Sequence, residues 1–541
     1  MDNSKYAVMK KFMTVFFVLF FFQVCAWSQA VTHKEKKNLV EAAKSIQDSI
    51  EREPVISVKD VALWKLEIRA ADSARIVDSL RTAGYGAELD EFFSRDTAKV
   101  EPVFAPVVAG QILGQNVFVW AWDYYVLDKN YAHTGPSYWK RNFREGWKWD
   151  HNHWAINFYG HPYQGSYYYS AARAGGYGFY QSVVWAALGS SIWEMFCETE
   201  YPAPNDLMTT SIGGSMYGEV LYRLSRLAYS NSDVPWYREL AAFIFHPMAY
   251  SQRKMFGSRD FRTGWVPVEL VIAAGGGSRF GSDYRIGNQG ADNLDQQWND
   301  HHGMTSLFLE YGKPYTRVKE PFDYFKVEMF NETGFEGNVL QLDIMGKLKN
   351  AGLHGRGHWL DFSLNLDFDT FYGDLATVST LSLGAALDIA LWLTPDLRFR
   401  IMNQIYYIML GTADMGYDDL IQEVHPEYVS DKDNYQYNTG VKYSLMTEVL
   451  YKKKFRVYNK VVADVLHTIP GSTPHYGAEG WDFLVVNQSA MEYRILDWLD
   501  LGSRLDTYLK LAAYSTDLFE PMSRRIFCFS TYLNFHLMGG R

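Results

Sequence analysis

The sequence predicts an α+β protein in which an antiparallel transmembrane β-barrel of about 12 strands follows an N-terminal helical domain that plugs or caps it. Three observations lead to this fold class. The first 30 residues have the pattern of an export signal, the second half alternates apolar and polar residues, and aromatic residues make up 16% of the chain. Such an aromatic excess is typical of proteins that stand at the boundary of membrane and water.

The N-terminal segment, residues 1–30, is predicted to be a signal peptide. Three lysines within the first 11 residues precede an apolar run over residues 12–24, and small residues stand at Ser28 and Ala30. Signal peptidase reads this order of charge, apolar run and small residues, so we expect cleavage near Ala30. The mature protein is then expected in the cell outer membrane, with membrane lipid as its surroundings.

The charge of the chain narrows the choice of partners. The net charge is -10 at pH 7, and the signal peptide carries three lysines and one aspartate, so cleavage leaves about -12. A chain this acidic repels polyanions, which excludes nucleic acid as a partner.

Of the three cysteines, only Cys197 and Cys528 remain after cleavage. We expect two core thiols rather than a disulfide framework.

Residues 31–99 are predicted to form a charged helical leader in the periplasm. Apolar residues recur at helical spacing among the charges, as at Leu63, Leu66 and Ala70. One hypothesis for the leader is that it binds a partner in the periplasm.

Residues 100–255 are predicted to form a semi-polar helical domain. Two stretches, residues 107–122 and 174–193, contain no charged residue and are long enough to cross a membrane. Both also contain Gln, Gly or Ser, which weakens the drive to enter lipid. We therefore expect these helices to be buried inside another structure, either within the barrel or beneath it.

Residues 256–541 are predicted to form the barrel. From Leu360 to Asp369 every second residue is Leu or Phe, and the residues between them are Asp, Ser or Asn. This alternation predicts a strand with one apolar and one polar face. The same period recurs, with varying clarity, in segments 266–272, 325–329, 340–344, 381–391, 399–407, 441–451, 455–465, 491–495, 505–513 and 527–537.

A soluble β-sandwich is the alternative, because its half-buried strands alternate as well. The clearest strands are about nine to eleven residues long, which favours a barrel that crosses a bilayer. Acidic residues next to aromatics in connecting segments, as at 417–419 and 427–428, favour it too.

The chain departs from the usual barrel ending because six residues follow Phe535. The Gly275–Gly277 run and the His301–His302 pair are expected in loops.

The segment between the two regions is the most unusual in the chain. It contains HWAINFYGHPYQGS from His153, WEMFCE from Trp193 and NDLMTTSIGGSMYGE from Asn205. Over residues 145–230 this segment resembles the family known as domain of unknown function 3943, which occurs in envelope proteins of Gram-negative bacteria. The resemblance implies a family but no established activity.

A second, local resemblance concerns helix packing. Glu194, Asp206, Thr210 and Gly213 are similar to the arrangement in VanZ-like membrane proteins. In that family an Asn stands at the position of Thr210, so this chain departs from the pattern there.

The same segment carries the candidate site residues. Glu194 and Glu198 are four apart on a predicted helix, and two carboxylates on one face repel unless a cation, a shared proton or a basic partner relieves them. His153 and His161 are the nearby imidazoles, which suit a divalent metal site or a general base. The full candidate set is His153, His161, Glu194, Glu198, Asp206 and Glu219.

No recognised catalytic motif accompanies these residues, so the metal, any other cofactor and the presence of catalysis stay open. The structural alternatives are an N-cap at Asp206 and an ordinary helix pair between Glu219 and Arg223. The sequence therefore leaves two main hypotheses. In the first, the protein handles or hydrolyses a lipid or other amphiphile at this site. In the second, it is a non-enzymatic channel or structural envelope protein whose polar motif only packs the helices.

Overall fold

The computed structural model describes residues 105–228, 236–256, 268–285, 295–334, 337–355, 357–373, 375–428, 434–516 and 521–538, together with Val266 and Phe519. The predicted signal peptide and leader, residues 1–99, lie outside these ranges.

The N-terminal part of the described chain is helical. We call its eight α-helices the helical unit. They are α1 (Ala105–Tyr125), α2 (Pro136–Glu145), α3 (His161–Ala174), α4 (Phe179–Phe196), α5 (Pro204–Met208), α6 (Gly214–Ala228), α7 (Trp236–Phe245) and α8 (Pro247–Phe256). None of the described helices combines the length and the hydropathy of a helix that crosses a membrane.

Local sequence explains where several helices begin and how closely they pack. Proline opens α2 and α5, where its missing N–H costs nothing. A Cβ added to Gly165 would lie 1.8 Å from the carbonyl oxygen of Thr210, and one added to Gly214 would lie 2.6 Å from the Cα of Gly165. Glycine at these positions lets the backbone of α3 touch the segment that leads into α6.

Twelve strands follow and close into an antiparallel barrel, in which each strand pairs with its neighbours along the chain and β1 pairs with β12. The predicted barrel is confirmed. The strands are β1 (Val268–Arg285), β2 (Asp295–Tyr311), β3 (Phe325–Gly334), β4 (Gly337–Gly355), β5 (His358–Gly373), β6 (Thr377–Thr394), β7 (Leu397–Asp414), β8 (Tyr435–Tyr451), β9 (Phe455–Thr468), β10 (Gly480–Leu496), β11 (Leu499–Tyr514) and β12 (Met522–Met538). A ninth helix, α9 (Asp418–Val424), lies between β7 and β8.

The two ends of the barrel differ. β1 begins and β12 ends at what we call the terminal end, where four pairs of strands are joined by tight turns. The longer connections, including the one that contains α9, are mostly at the opposite end, which we call the loop end.

The predicted alternation in β5 separates lumen from exterior. Asp361 and Ser363 point into the lumen and are buried, whereas Phe362 points outward and is 56% exposed. Lysine and arginine side chains in the lumen neutralise the inward carboxylates. The pairs include Lys442 with Asp367 at 2.7 Å, Lys460 with Glu328 at 2.9 Å, Arg400 with Asp388 at 2.6 Å and Lys347 with Asp361 at 2.6 Å.

The expectation that Gly275–Gly277 and His301–His302 lie in loops is wrong, because both segments pair within β1 and β2. The glycines are needed where β12 approaches closely, since a Cβ on Gly277 would lie 1.7 Å from the carbonyl oxygen of Phe529. His302 is a buried wall residue whose Nε2 lies 2.8 Å from Ser530 Oγ.

The helical unit lies against the outside of the barrel wall. Phe368 in β5 points away from the lumen and contacts the ring of Tyr217 from α6. On the same outward face, the ring of Trp154 stacks on Tyr372, and the hydroxyl of Tyr159 hydrogen-bonds to Thr370 at 2.8 Å. The helices therefore occupy neither the lumen nor the space beneath it, which is a different position from the predicted plug or cap.

Near the loop end, described apolar side chains pack together inside the lumen. An apolar layer there includes the inward-facing Phe371, Ile408, Leu466, Tyr508 and Ile526. Between this layer and the terminal end, the lumen encloses a cavity of about 990 Å³. Among the described residues, the apolar layer therefore lies between this cavity and the loop end.

Candidate functional site

Four carboxyl groups meet in the helical unit, near the loop end of the barrel, and we call them the acid cluster. Glu194 lies in the last turn of α4, Glu198 lies just beyond it, Asp206 lies in α5, and Asp150 lies in the segment between α2 and α3. Their side chains are buried or half-buried. The short connection between α4 and α5 brings three of these residues together.

Glu194 is fully buried. One carboxyl oxygen, Oε2, accepts a hydrogen bond of 3.0 Å from the backbone N–H of Ala203, whereas Oε1 accepts none from any described residue. The carboxyl group of Glu198 is within hydrogen-bonding reach of Glu194, and its Oε2 accepts a bond of 3.2 Å from the indole of Trp193. Two carboxyl groups within hydrogen-bonding reach share a proton, because two negative charges so close together would repel.

Asp206 connects the cluster to His161 at the start of α3. Asp206 Oδ1 accepts a bond of 2.9 Å from the amide of Asn205 and lies 3.4 Å from His161 Nε2. The other ring nitrogen, His161 Nδ1, lies 3.3 Å from the hydroxyl of Thr210. The imidazole is therefore held on both sides, with its orientation set by Asp206 and Thr210.

Asp150 joins the cluster to the barrel wall. Its backbone N–H donates to the side chain of Asn205 at 3.1 Å, and its carbonyl oxygen accepts bonds from Asn157 and Tyr437. The amide of Asn157 also donates to the hydroxyls of Tyr435 and Tyr437 at 2.8 and 2.9 Å. Both tyrosines project from the outward face of β8, so the position of the cluster depends on the barrel.

Burial sets the protonation of the two cluster residues that lie in loops. Burial, and then the nearby charge of Glu200, raise the pKa of Asp150 to about 6. Burial, and then the charge of Asp150, raise the pKa of Glu198 to about 8. At neutral pH, Glu198 therefore holds its proton and Asp150 is mostly ionised. Two neighbouring carboxyl groups with separated pKa values are the arrangement that general acid and base catalysis uses.

A metal ion is less compatible with this geometry. Within the described ranges, no three His, Cys, Asp or Glu side chains have an arrangement that would hold one.

The structure brings four of the six candidate residues together and separates the other two. His161, Glu194, Glu198 and Asp206 gather, whereas His153 uses Nδ1 to accept the backbone N–H of Ala155 at 3.3 Å. That contact begins the helical segment that follows.

Glu219 belongs to a separate ion network, which we call the arginine latch. Its oxygens bind Arg173 at 2.8 Å and Arg223 at 2.7 Å, and these two arginines reach Glu320 and Asp323 in the loop between β2 and β3. The predicted pair of Glu219 with Arg223 is present, and it is half of a network that holds α3 and α6 to the barrel.

Sequence reasoning missed Asp150, Asn157 and the two tyrosines. Asp150 stands directly before the polar run His151–His153, which was a usable signal. Tyr435 and Tyr437 are more than 270 residues from Asn157, with separations of 278 and 280, so nothing local connects them.

A closed, even-stranded antiparallel barrel with a charged lumen and an apolar exterior defines the class of outer-membrane β-barrel proteins. Residues 146–248 match the family model described as Domain of unknown function (DUF3943). This segment contains the whole acid cluster and the helical half of the arginine latch.

Several solved barrels are similar to this chain in part. The NanC porin has 11% identity and a TM-score of 0.23, covering 48% of this chain and 98% of its own. The toluene transporter TodX of Pseudomonas putida has 7% identity and a TM-score of 0.22, covering 51% and 90%. A FadL homologue of Pseudomonas aeruginosa has 10% identity and a TM-score of 0.23, covering 50% and 90%. No curated protein matches the chain.

Proposed function

We propose that this chain is an integral outer-membrane protein whose helical unit handles, and hydrolyses, a lipid or other amphiphile at the acid cluster. The observation that carries the proposal is the buried acid cluster itself, in which Glu194 Oε1 accepts no hydrogen bond from a described residue and the charge of Asp150 raises the pKa of Glu198. Glu198 is then the general acid that protonates a leaving oxygen, and Asp150 is the base that takes a proton from the attacking water.

The surroundings of the cluster support an amphiphilic substrate. Phe196 at the end of α4 is 36% exposed, and Phe143 of α2 is 69% exposed, with their rings 5.9 Å apart. Apolar rings beside buried acids offer a surface to a hydrocarbon tail while the polar bond reaches the carboxyl groups.

The orientation follows from the two ends of the barrel. Bacterial barrels place short turns in the periplasm and longer loops outside, so the terminal end faces the periplasm. Residues 31–99, after cleavage near Ala30, then extend into the periplasm, where a partner that binds them would be found. The acid cluster lies towards the outer leaflet.

The barrel part of the proposal is tested by gel mobility of the protein from separated outer membranes. We expect an unheated band that runs faster than the boiled one. A protein recovered from the periplasm without a shift would contradict it.

The catalytic part is tested with Glu198→Gln and Asp150→Asn in the refolded protein. The probes are p-nitrophenyl butyrate, p-nitrophenyl palmitate and phosphatidylglycerol in mixed micelles. We expect each variant to lose roughly 10²-fold or more in turnover with an unchanged gel shift, because each removes a proton-transfer group. Glu423→Gln, an exposed acid on α9, is the matched control.

The alternative is that the cluster only packs the helices. It is favoured by the dense hydrogen bonding from Asn205 and Asn157, which also suits a purely structural role. In that case the wild-type protein hydrolyses none of the probes, and Glu198→Gln lowers the folding yield. That result would remove the catalytic proposal and leave the membrane barrel intact.

A further inference from the structure

The outward surface of the helical unit has an unusual distribution of side chains. On α4, the buried face carries Ser182, Ser190 and Glu194, whereas Val184 is 59% exposed and Leu188 is 49% exposed. A water-facing helix has the opposite arrangement, with its aliphatic residues buried and its polar residues outside.

α1 repeats this arrangement. Asn116 and Asp123 are buried, and Asn116 donates to the carbonyl oxygen of Gly189 in α4 at 3.2 Å. On its other side, Val117 is 59% exposed and Phe118 is 66% exposed. The amide of Asn116 therefore bonds to α4 on the covered side, while Val117 and Phe118 are largely uncovered by the described protein.

The exposed apolar side chains of the helical unit resemble those on the outer face of the barrel. Outward residues of bare strands are exposed to a similar extent, with Phe362 at 56% and Phe529 at 53%. α7 adds Trp236 at 75% and Leu240 at 48%. Large exposed apolar patches on a protein surface mark contact with a membrane or a partner.

We infer that the helical unit lies in the hydrocarbon layer of the membrane beside the barrel, with the acyl chains of lipid against the outward faces of α1 and α4. The inference rests on the proposed membrane barrel, because Tyr217 and Trp154 hold the helices to wall residues Phe368 and Tyr372. If the barrel wall crosses the bilayer, helices packed on its outer face lie in the same hydrocarbon layer.

Dimensions and charge agree with this position. α1 has 21 residues and α4 has 18, which corresponds to roughly 31 and 27 Å of helix, close to the ~30 Å of a hydrocarbon core. Residues 107–122 and 174–193 contain no charged side chain. Only one side of each helix faces lipid, since the rest of the protein covers the other side, and Asn116, Ser182, Ser190 and Glu194 lie on that covered side.

The test is spin-label accessibility in the full chain refolded into phosphatidylcholine and phosphatidylglycerol vesicles. The three native cysteines are replaced by serine, and single cysteines are placed by Phe118→Cys and Val184→Cys. Phe529→Cys on the barrel wall is the lipid-facing control, and Lys453→Cys in an exposed turn is the water-facing control. Each variant is first checked for folding by gel shift.

We expect labels at positions 118, 184 and 529 to be several-fold more accessible to oxygen than to a water-soluble nickel complex, with the reverse at 453. If 529 reports lipid while 118 and 184 report water, the helical inference is overturned and the membrane barrel stands. If 529 also reports water, the barrel proposal fails and the inference fails with it. Helix labels that neither reagent reaches would show a protein cover, such as a second copy, and would also overturn the inference.

Discussion

The ring of Phe368 lies edge-on against the ring of Tyr217, with their centroids 5.6 Å apart, on the outer side of the barrel wall. One residue earlier in the same strand, Asp367 points into the lumen and pairs with Lys442. A single step along β5 therefore separates the helical unit from the charged interior. The contact between Phe368 and Tyr217 therefore attaches the helical unit to the outer face of β5 through packed aromatic rings.

Truncation of Phe368 is expected to loosen the helical unit from the barrel. Phe368→Ala leaves a void in a fully buried contact, and we expect it to lower the free energy of unfolding by ~3–5 kcal/mol. Urea unfolding followed by limited proteolysis of the helical unit measures the loss. Phe362→Ala is the matched control, because Phe362 lies on the same face of the same strand but has no helix over it, and an equal loss there would refute the prediction.

The arginine latch is expected to depend on its central carboxylate. Glu219→Gln leaves Arg173 and Arg223 facing each other without a buried counter-charge, which we expect to cost ~3–5 kcal/mol. Thermal unfolding of the refolded protein measures it. The comparison is Glu239→Gln, which breaks an exposed pair with Lys254 at 3.3 Å and should cost less than ~1 kcal/mol.

Stability of the helical unit is expected to fall as the pH rises. A carboxyl group whose pKa is higher in the folded protein than in the unfolded chain stabilises the fold while it is protonated, and that stabilisation is lost as the pH passes the folded-state pKa. For Asp150 the decline runs from its ordinary pKa of 3.8 to about pH 6, and for Glu198 it runs from its ordinary pKa of 4.5 to about pH 8.

Urea midpoints at pH 5.5 and pH 9 test this expectation for Glu198, because most of its decline lies between these two values. Glu198→Gln keeps the hydrogen-bonding shape without a titrating proton, so we expect it to reduce the difference between the two midpoints. A wild-type protein that is more stable at pH 9 would contradict the assignment.

The barrel is expected to conduct no steady current in a planar bilayer, because the apolar layer closes its lumen. Phe371 and Tyr508 pack within this layer with ring centroids 5.5 Å apart. Replacing both with glycine should open a path and produce channels. The outward Phe362→Gly is the control, and conductance in the unmodified protein would disprove the closed lumen.

The barrel was predictable because the direction in which each side chain points from a strand is a local property. Side chains alternate with a period of two, so Leu360 to Asp369 already separates a lipid face from a lumen face without knowledge of any partner. The candidate site was only partly predictable. Helical spacing puts Glu194 four residues before Glu198, but Asp150 reaches the cluster through tertiary contacts such as its bond to Asn205, and no periodicity reports that contact.

By itself, the sequence determined an aromatic-rich chain with amphipathic strands and with uncharged helices that cannot expose their polar groups to lipid. It did not determine which surface covers those polar groups. Only the tertiary structure decided that, because charged pairs such as Lys442 with Asp367 line the lumen, and a helix entering it would strip water from those charges. The outer wall offers Phe368 and Tyr372 instead, and burying apolar rings there has no such desolvation cost.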